Sequence, residues 1–254
     1  MDKIEVKIID TPGNLDMMPF LARVTQRGHR IHNMADIEEL LEKNASEKLR
    51  GNLAAMPHGS IKRFNNYTIA VVGASRRFLA QIRTHQHINF VSGSLQYSDW
   101  SDLKHPEEMF VVPYEIMEKP DLRQYYLDCC MRDFQQYKII ADAAGNDAAG
   151  YILPNGARNI LILQANIQEW QYVIGLRTCR RNSPETRYIM YRIWEELFNS
   201  TYGPDYFSIK STGCWCQTIG SCKEGHMSCG KKLPANLTPQ YLLRLEFPLL
   251  YEEK

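Results

Sequence analysis

The sequence predicts a mixed α/β domain, and three stretches predict it. Residues 3–10 alternate polar and apolar side chains as far as Thr11-Pro12-Gly13-Asn14, the pattern of a strand closed by a turn. Residues 67–73, Tyr-Thr-Ile-Ala-Val-Val-Gly, are β-branched and aromatic, and at 74–83 the pattern becomes helical, with Phe78, Leu79 and Ile82 along one face. Residues 121–144 repeat aromatic and aliphatic side chains at helical spacing over many turns. The 254 residues contain no internal repeat and no linker, so the expectation is a single domain over 1–254 that ends in a Cys-rich tail at about 203–231.

The remaining elements follow in order. Residues 33–43 carry apolar positions at helical spacing, with Asn33 or Asp36 as the cap and acids in the first turns. Residues 109–113 read as a strand, although Pro113 closes it. Gly145-Asn146-Asp147 ends the long helix, 151–156 make a short apolar piece and a turn, and 157–177 are expected to be helical again. Pro184 in the first turn favours a further helix over 185–199.

Composition excludes several functions. With 44% hydrophobic and 23% charged residues the chain is globular, and a formal net charge of +1 gives no broad field for nucleic acid or an anionic membrane. No apolar run approaches the roughly 20 residues that span a bilayer. Met1-Asp2-Lys3-Ile4-Glu5 is too charged for a signal peptide, so the expected location is the cytoplasm. In that compartment the 7 cysteines remain thiols or metal ligands rather than disulfides.

Residues 83–98 gather His85, Gln86, His87, Asn89, Ser92 and Ser94 into one run. Buried polar groups need partners, and a ligand rich in donors and acceptors would supply them. A solvated surface turn is the competing reading.

Thr84-His85-Gln86, seven residues, Ser94, then Leu95-Gln96-Tyr97-Ser98 resembles the signature of the flavin-dependent thymidylate synthases, Arg-His-Arg, seven residues, Ser, x-Arg-Tyr-Ser. Pro57-His58-Gly59-Ser60 with Tyr67-Thr68-Ile69-Ala70 is similar to that family's Gly-His-x-Ser and Phe-Thr-Phe segments, and Gln81 stands where it has a nucleotide-site glutamine. Ile152-Leu153-Pro154-Asn155, Asn166 and Leu176-Arg177-Thr178-Cys179 with Glu185 and Arg187 resemble its Leu-Pro, Asn and Leu-Arg-x-Cys segments. The tail from Gly220 to Lys231 resembles a Cys-rich ending found in one branch, so the matches span roughly 57 to 231.

The resemblance implies a central, mostly antiparallel sheet flanked by helices, and a cytoplasmic homotetramer that holds FAD between subunits. It implies reductive methylation of dUMP at C5 with NADPH and methylenetetrahydrofolate, the cofactor carrying the difficult chemistry. It assigns catalysis to Arg177 and Ser94, FAD binding to His58, Ser60, His85, Gln86 and Asn166, and nucleotide binding to Gln81, Ser92, Ser94, Gln96, Tyr97 and Arg177.

The residues themselves fit these tasks. Arg177 offers a planar fork of donors for uracil oxygens or a phosphate; paired with Glu185 it would be only an ion pair. His85 is suited to the pyrimidine edge of a flavin or to a satisfied core position. Asn166 has both the donor and the acceptor that an isoalloxazine edge needs. Ser94 follows Gly93, so its hydroxyl and nearby backbone N–H groups could cradle a phosphate, or merely form a turn. Cys179, Cys216, Cys222 and Cys229 are candidate ligands of a structural zinc, with Cys214 or His226 as substitutes, or else free thiols in a loop.

The pattern also departs from the family. Thr84, Gln86 and Gln96 stand in place of arginines, Val91-Ser92 in place of Asn-Glu, Gly150 in place of a phosphate-binding arginine and Phe64 in place of a histidine. Charge-assisted contacts to phosphate are stronger than neutral ones, so their loss opens two alternatives. One is a C5-modifying enzyme for another pyrimidine nucleotide such as UMP, and the other is a non-catalytic nucleotide-binding homologue. Arg76, Arg77, Arg83 and Arg158 lie near enough in sequence to restore the charge.

Overall fold

The computed structural model describes residues 1, 3–101, 105–231 and 237–251. Strand β1 (Glu5–Asp10) leads to helices α1 (Met17–Arg27), α2 (Met34–Leu41) and α3 (Glu47–Ala55), then to β2 (Asn66–Ser75), α4 (Arg76–Ile82) and β3 (Asn89–Ser92). Next come the long α5 (Pro120–Ala144), α6 (Asn146–Gly150), β4 (Arg158–Asn166), α7 (Ile167–Arg177) and α8 (Pro184–Phe198). The tail folds as the one-turn helices α9 (Gly203–Tyr206), α10 (Ile209–Thr212) and α11 (Trp215–Thr218), and α12 (Pro239–Glu246) closes the series.

Local chemistry sets the boundaries. Asn33 and Asp36 form a reciprocal capping box at α2, and Ser46, Ser75, Asn166 and Thr238 cap α3, α4, α7 and α12 by accepting a backbone N–H. Pro120, Pro184 and Pro239 occupy first turns, where the missing N–H costs nothing. Within β2, Gly73 adopts φ +80° at a register shift, and a Cβ there would lie 2.8 Å from the Lys3 carbonyl oxygen, so only glycine fits.

The sheet order is β1-β2-β4-β3 and every pairing is antiparallel, as expected. Tyr67, Ile69 and Val71 of β2 and Leu161, Leu163 and Ala165 of β4 point inward against α7 and α8. Burying each large aliphatic side chain contributes about 1.5–3 kcal/mol. Trp170 Nε1 donates to the Tyr67 carbonyl at 3.2 Å and Trp194 Nε1 to the Phe207 carbonyl at 2.7 Å, so both buried indoles are satisfied. A second apolar cluster joins Phe134 and Tyr137 of α5 to Phe110, Leu153 and Ala157. No helix among the described residues is long and apolar enough to cross a membrane.

Two expectations are corrected. Residues 157–177 are not one helix: β4 occupies their first half, because a strand central between β2 and β3 is apolar on both faces and mimics helical spacing, and Asn166 then caps α7. Residues 109–113 form no strand; Phe110 makes one bridge to Ala157, and Pro113 has no N–H to extend it. The polar run at 83–98 is the end of α4, a turn, the edge strand β3 and a loop, and the side chains of Asn89, Phe90 and Val91 are exposed.

Candidate active site

Arg177 ends α7 beside the C-terminal end of α4, and its guanidinium is fixed by four bonds. Nε donates to His85 Nε2 at 2.8 Å, Nη1 to Asn182 Oδ1 at 3.2 Å, and Nη2 to Thr84 Oγ1 at 2.9 Å and the Gln81 carbonyl at 3.3 Å. None of these acceptors carries charge. The Glu185 carboxylate instead accepts the Ser75 N–H at 2.8 Å and the Ser75 hydroxyl at 2.6 Å, which excludes the simple Arg177–Glu185 ion pair. Arg177 is therefore an oriented cation whose charge no carboxylate among the described residues neutralises, and of its five N–H donors the bonds above use four.

His85 is buried, and its pKa is lowered to about 4, first by burial and second by the Arg177 charge. The ring is neutral at neutral pH, so Nε2 is an acceptor and serves Arg177. It also meets Tyr172 edge-on, with ring centroids 6.3 Å apart. His85 thus supports the arginine through Nε2. Thr84, which replaces a signature arginine, takes up the Arg177 Nη2 donor.

The other predicted residues fall into three concavities. Gln81 lines a 540 Å³ cleft with Arg77, Arg181, Asn182 and Glu185, and its Oε1 accepts the Thr186 hydroxyl. Ser92, Ser94 and Gln96 line a 560 Å³ cleft with Arg76, Arg83 and Asn159. Ser94 Oγ accepts the N–H groups of Gln96 at 3.2 Å and Tyr97 at 3.3 Å, so these donors hold the turn, and the hydroxyl hydrogen remains to be donated. Tyr97 is exposed.

Asn166 lines a 210 Å³ recess with Arg63, His87, Gln168 and Glu169. Its Oδ1 accepts the Glu169 N–H at 3.0 Å as the α7 cap, which engages the acceptor assigned to a flavin and leaves the amide as donor. Gln168 packs against Gly59, where a Cβ would lie 2.4 Å from Nε2, and Oε1 accepts Arg63 Nε at 2.8 Å. His58, Ser60 and Gln86 are exposed, as is Phe64, which follows Arg63 and presents an aromatic face. Arg63, Arg181 and Asn182 joined these clefts without being predicted, and of the four arginines expected to restore charge Arg76 and Arg83 share one cleft while Arg77 lines another, because only the fold places them there.

Cys179, Cys214, Cys216, Cys222 and Cys229 all line one apolar pocket between α7 and the tail. Among the described residues, however, no group of three or more His, Cys, Asp or Glu side chains is arranged to hold a metal ion. Of the expected zinc ligands Cys179, Cys216, Cys222 and Cys229, Cys216 Sγ lies 2.9 Å from Cys214 Sγ, and Cys222 and Cys229 sit on the exposed rim, Cys229 Sγ donating to the Lys231 carbonyl at 3.8 Å. Burial pushes the thiols of Cys179 and Cys214 up, the latter to about 12, which keeps them protonated.

The profile of the thymidylate synthase complementing protein family matches residues 7–200. A flavin-dependent thymidylate synthase of Geobacter sulfurreducens is 26% identical over 199 residues, covering 77% of this chain and 82% of that one. One of Thermococcus onnurineus is 25% identical over 171 residues, covering 67% and 69%. The fold resembles that of thymidylate synthase X of Helicobacter pylori, solved with FAD and dUMP, at a TM-score of 0.61 and 14% identity over 80% of this chain and 96% of that one. It also resembles a UMP/dUMP methylase of Streptomyces cacaoi bound with 5-Br dUMP, at a TM-score of 0.60 and 16% identity over 80% and 93%.

Proposed function

Because the chain belongs to the thymidylate synthase complementing protein family, we propose that it methylates dUMP at C5 to give dTMP, with FAD as cofactor and NADPH and methylenetetrahydrofolate as co-substrates. The curated relatives are named flavin-dependent thymidylate synthases, and the Helicobacter pylori structure holds FAD and dUMP. The observation that carries the reading is Arg177, a guanidinium fixed by four uncharged acceptors, as a polarising group for a uracil oxygen must be. A charge already oriented costs no reorganisation when electron density builds on the pyrimidine carbonyl.

The recess lined by Arg63, His87, Asn166, Gln168 and Glu169 offers amide and cationic donors to the polar edge of a flavin, and the ring of Phe64, the residue after Arg63, is exposed. These residues, with His58, Ser60 and Gln86 around them, would hold FAD, which supplies the reducing equivalents when bound. Gln81 and Asn182 orient the nucleotide base beside Arg177, and Ser94 donates its hydroxyl to the nucleotide. In one protomer these groups lie in separate clefts, and the sheet face opposite the core is open, which supports a tetramer with sites completed between subunits.

The test is reconstitution with FAD, followed by incubation with NADPH, methylenetetrahydrofolate and either dUMP or UMP, the products read by mass spectrometry. Conversion of dUMP to dTMP is expected. Failure to take up FAD rejects the reading, turnover of UMP alone moves the substrate to the ribonucleotide, and FAD uptake without turnover moves the chain to the non-catalytic homologue.

A further inference from the structure

The cleft lined by Arg76, Arg83, Ser92, Ser94, Gln96, Asn155 and Asn159 contains two arginines and no acidic residue. Helix α4 produces this arrangement, because residues 76, 79, 80 and 83 share one face while 77 and 81 turn to the neighbouring cleft. Arg76 Nη1 donates to the Leu153 carbonyl at 2.6 Å and the Gly150 carbonyl at 3.3 Å. Arg83 Nη2 donates to Ser92 Oγ at 3.1 Å, and its guanidinium lies over the Phe90 ring at 5.0 Å. Among the described residues neither meets a carboxylate. Burial lowers the Arg76 pKa, as expected of a cation that has given up water without gaining a counter-charge.

Two guanidiniums held by neutral acceptors around a polar 560 Å³ cleft are a site for a doubly charged anion. The walls add the hydroxyls of Ser92 and Ser94 and the amides of Gln96, Asn155 and Asn159, all of them donors to phosphate oxygens. The cleft falls within the size range of small-molecule sites, about 300–1,000 Å³.

We infer that Arg76 and Arg83 are the phosphate-binding residues of this chain, gripping the 5′-phosphate of the pyrimidine nucleotide from α4. This inference rests on the nucleotide reading above. Positions 84, 86, 96 and 150, where the resembled pattern has arginines, are neutral here, and the positive charge has moved to 76 and 83. Arg76 reaches the backbone of Gly150 itself, so the charge lost from the side chain at 150 is restored within 3.3 Å of that residue's carbonyl. The chain would then retain nucleotide monophosphates as substrates despite the exchanged signature.

The experiment is calorimetric binding of dUMP and of deoxyuridine, which lacks the phosphate, to the FAD-reconstituted wild type, Arg83→Gln and Arg83→Lys. Arg83→Gln is expected to weaken dUMP about 10- to 100-fold and leave deoxyuridine within about twofold, with Arg83→Lys recovering part of the loss. Because the Arg83 side chain is exposed and, among the described residues, meets only Ser92 Oγ and the Phe90 ring, its removal leaves the core intact. Arg76→Met, checked for folding by circular dichroism, is expected to repeat the selective loss. Equal dUMP affinity in wild type and Arg83→Gln overturns the inference, as does equal weakening of dUMP and deoxyuridine. A wild type that takes up FAD but binds neither dUMP nor UMP overturns instead the function on which it rests.

Discussion

His85 and Arg177 act as one unit, since the neutral imidazole accepts from the guanidinium at 2.8 Å and a protonated ring would set two cations together. The folded pKa is lowered to about 4 against an ordinary 6.5, so the unfolded chain binds the proton more tightly. This contribution to stability is complete above about pH 6.5 and is lost as pH falls toward 4, up to about 3 kcal/mol. Urea unfolding across that range should show wild-type stability falling more steeply with acid than that of His85→Gln; parallel curves would refute the coupling. Arg177→Lys keeps a charge but not the planar fork, and should lower kcat/KM for dUMP by about 10²–10³ with FAD uptake retained. His85 could be singled out by its place in the motif. Its task could not, because the partner lies 92 residues away and only packing delivers it.

At the scale of elements, legibility followed context. Helices α2, α5 and α8 were readable because caps, first-turn prolines and periodicity agreed, whereas β4 was misread because Ile160 to Leu163 is an unbroken apolar run with no alternation to mark a strand. Helix α12 went unread, although Thr238 caps it and Pro239 opens it; Leu242 and Leu243 bury it in the core, and Glu246 adds an ionic tie. Glu246 is buried and paired with Arg180 and Arg187 of the loop before α8 and its first turn. Glu246→Gln leaves two guanidiniums partly buried without their charge partner and should cost about 3 kcal/mol, read as a lower midpoint in urea. An unchanged midpoint would show that α12 is held by Leu242 and Leu243 alone.

On the scale of the whole molecule, the sheet has one covered face and one open face. Val72 at 44%, Ile160 at 47% and Val91 at 70% exposure lie on the open side with Ala70 and Ile162. A contiguous apolar surface of this kind marks an interface. Ile160→Lys combined with Val91→Glu should convert the proposed tetramer to smaller species in light scattering and abolish turnover, while α7 and α8 keep the core intact. A wild-type chain that is monomeric at assay concentration would reject the tetramer. A buried Asp16–Arg50–Asp205 network ties α1 and α3 to α9, with Arg50 Nε 2.6 Å from Asp205 Oδ2. The N-terminal helices are thereby fixed beside the tail.

The sequence by itself determined the family, the strand-then-helix unit that carries Gln81 to Thr84, and Arg177 as the cation of the site, because each depends on local pattern or on spacing along the chain. The tertiary structure decided which partner each side chain met. It set the His85 ring beneath an arginine, gathered five thiols around one pocket, and brought Arg76 and Arg83 to one cleft where, among the described residues, neither meets a carboxylate. Charge balance and hydrogen-bond satisfaction are properties of neighbourhoods in space, and a neighbourhood assembled from α4, β3, β4 and α7 is written nowhere in one stretch of chain.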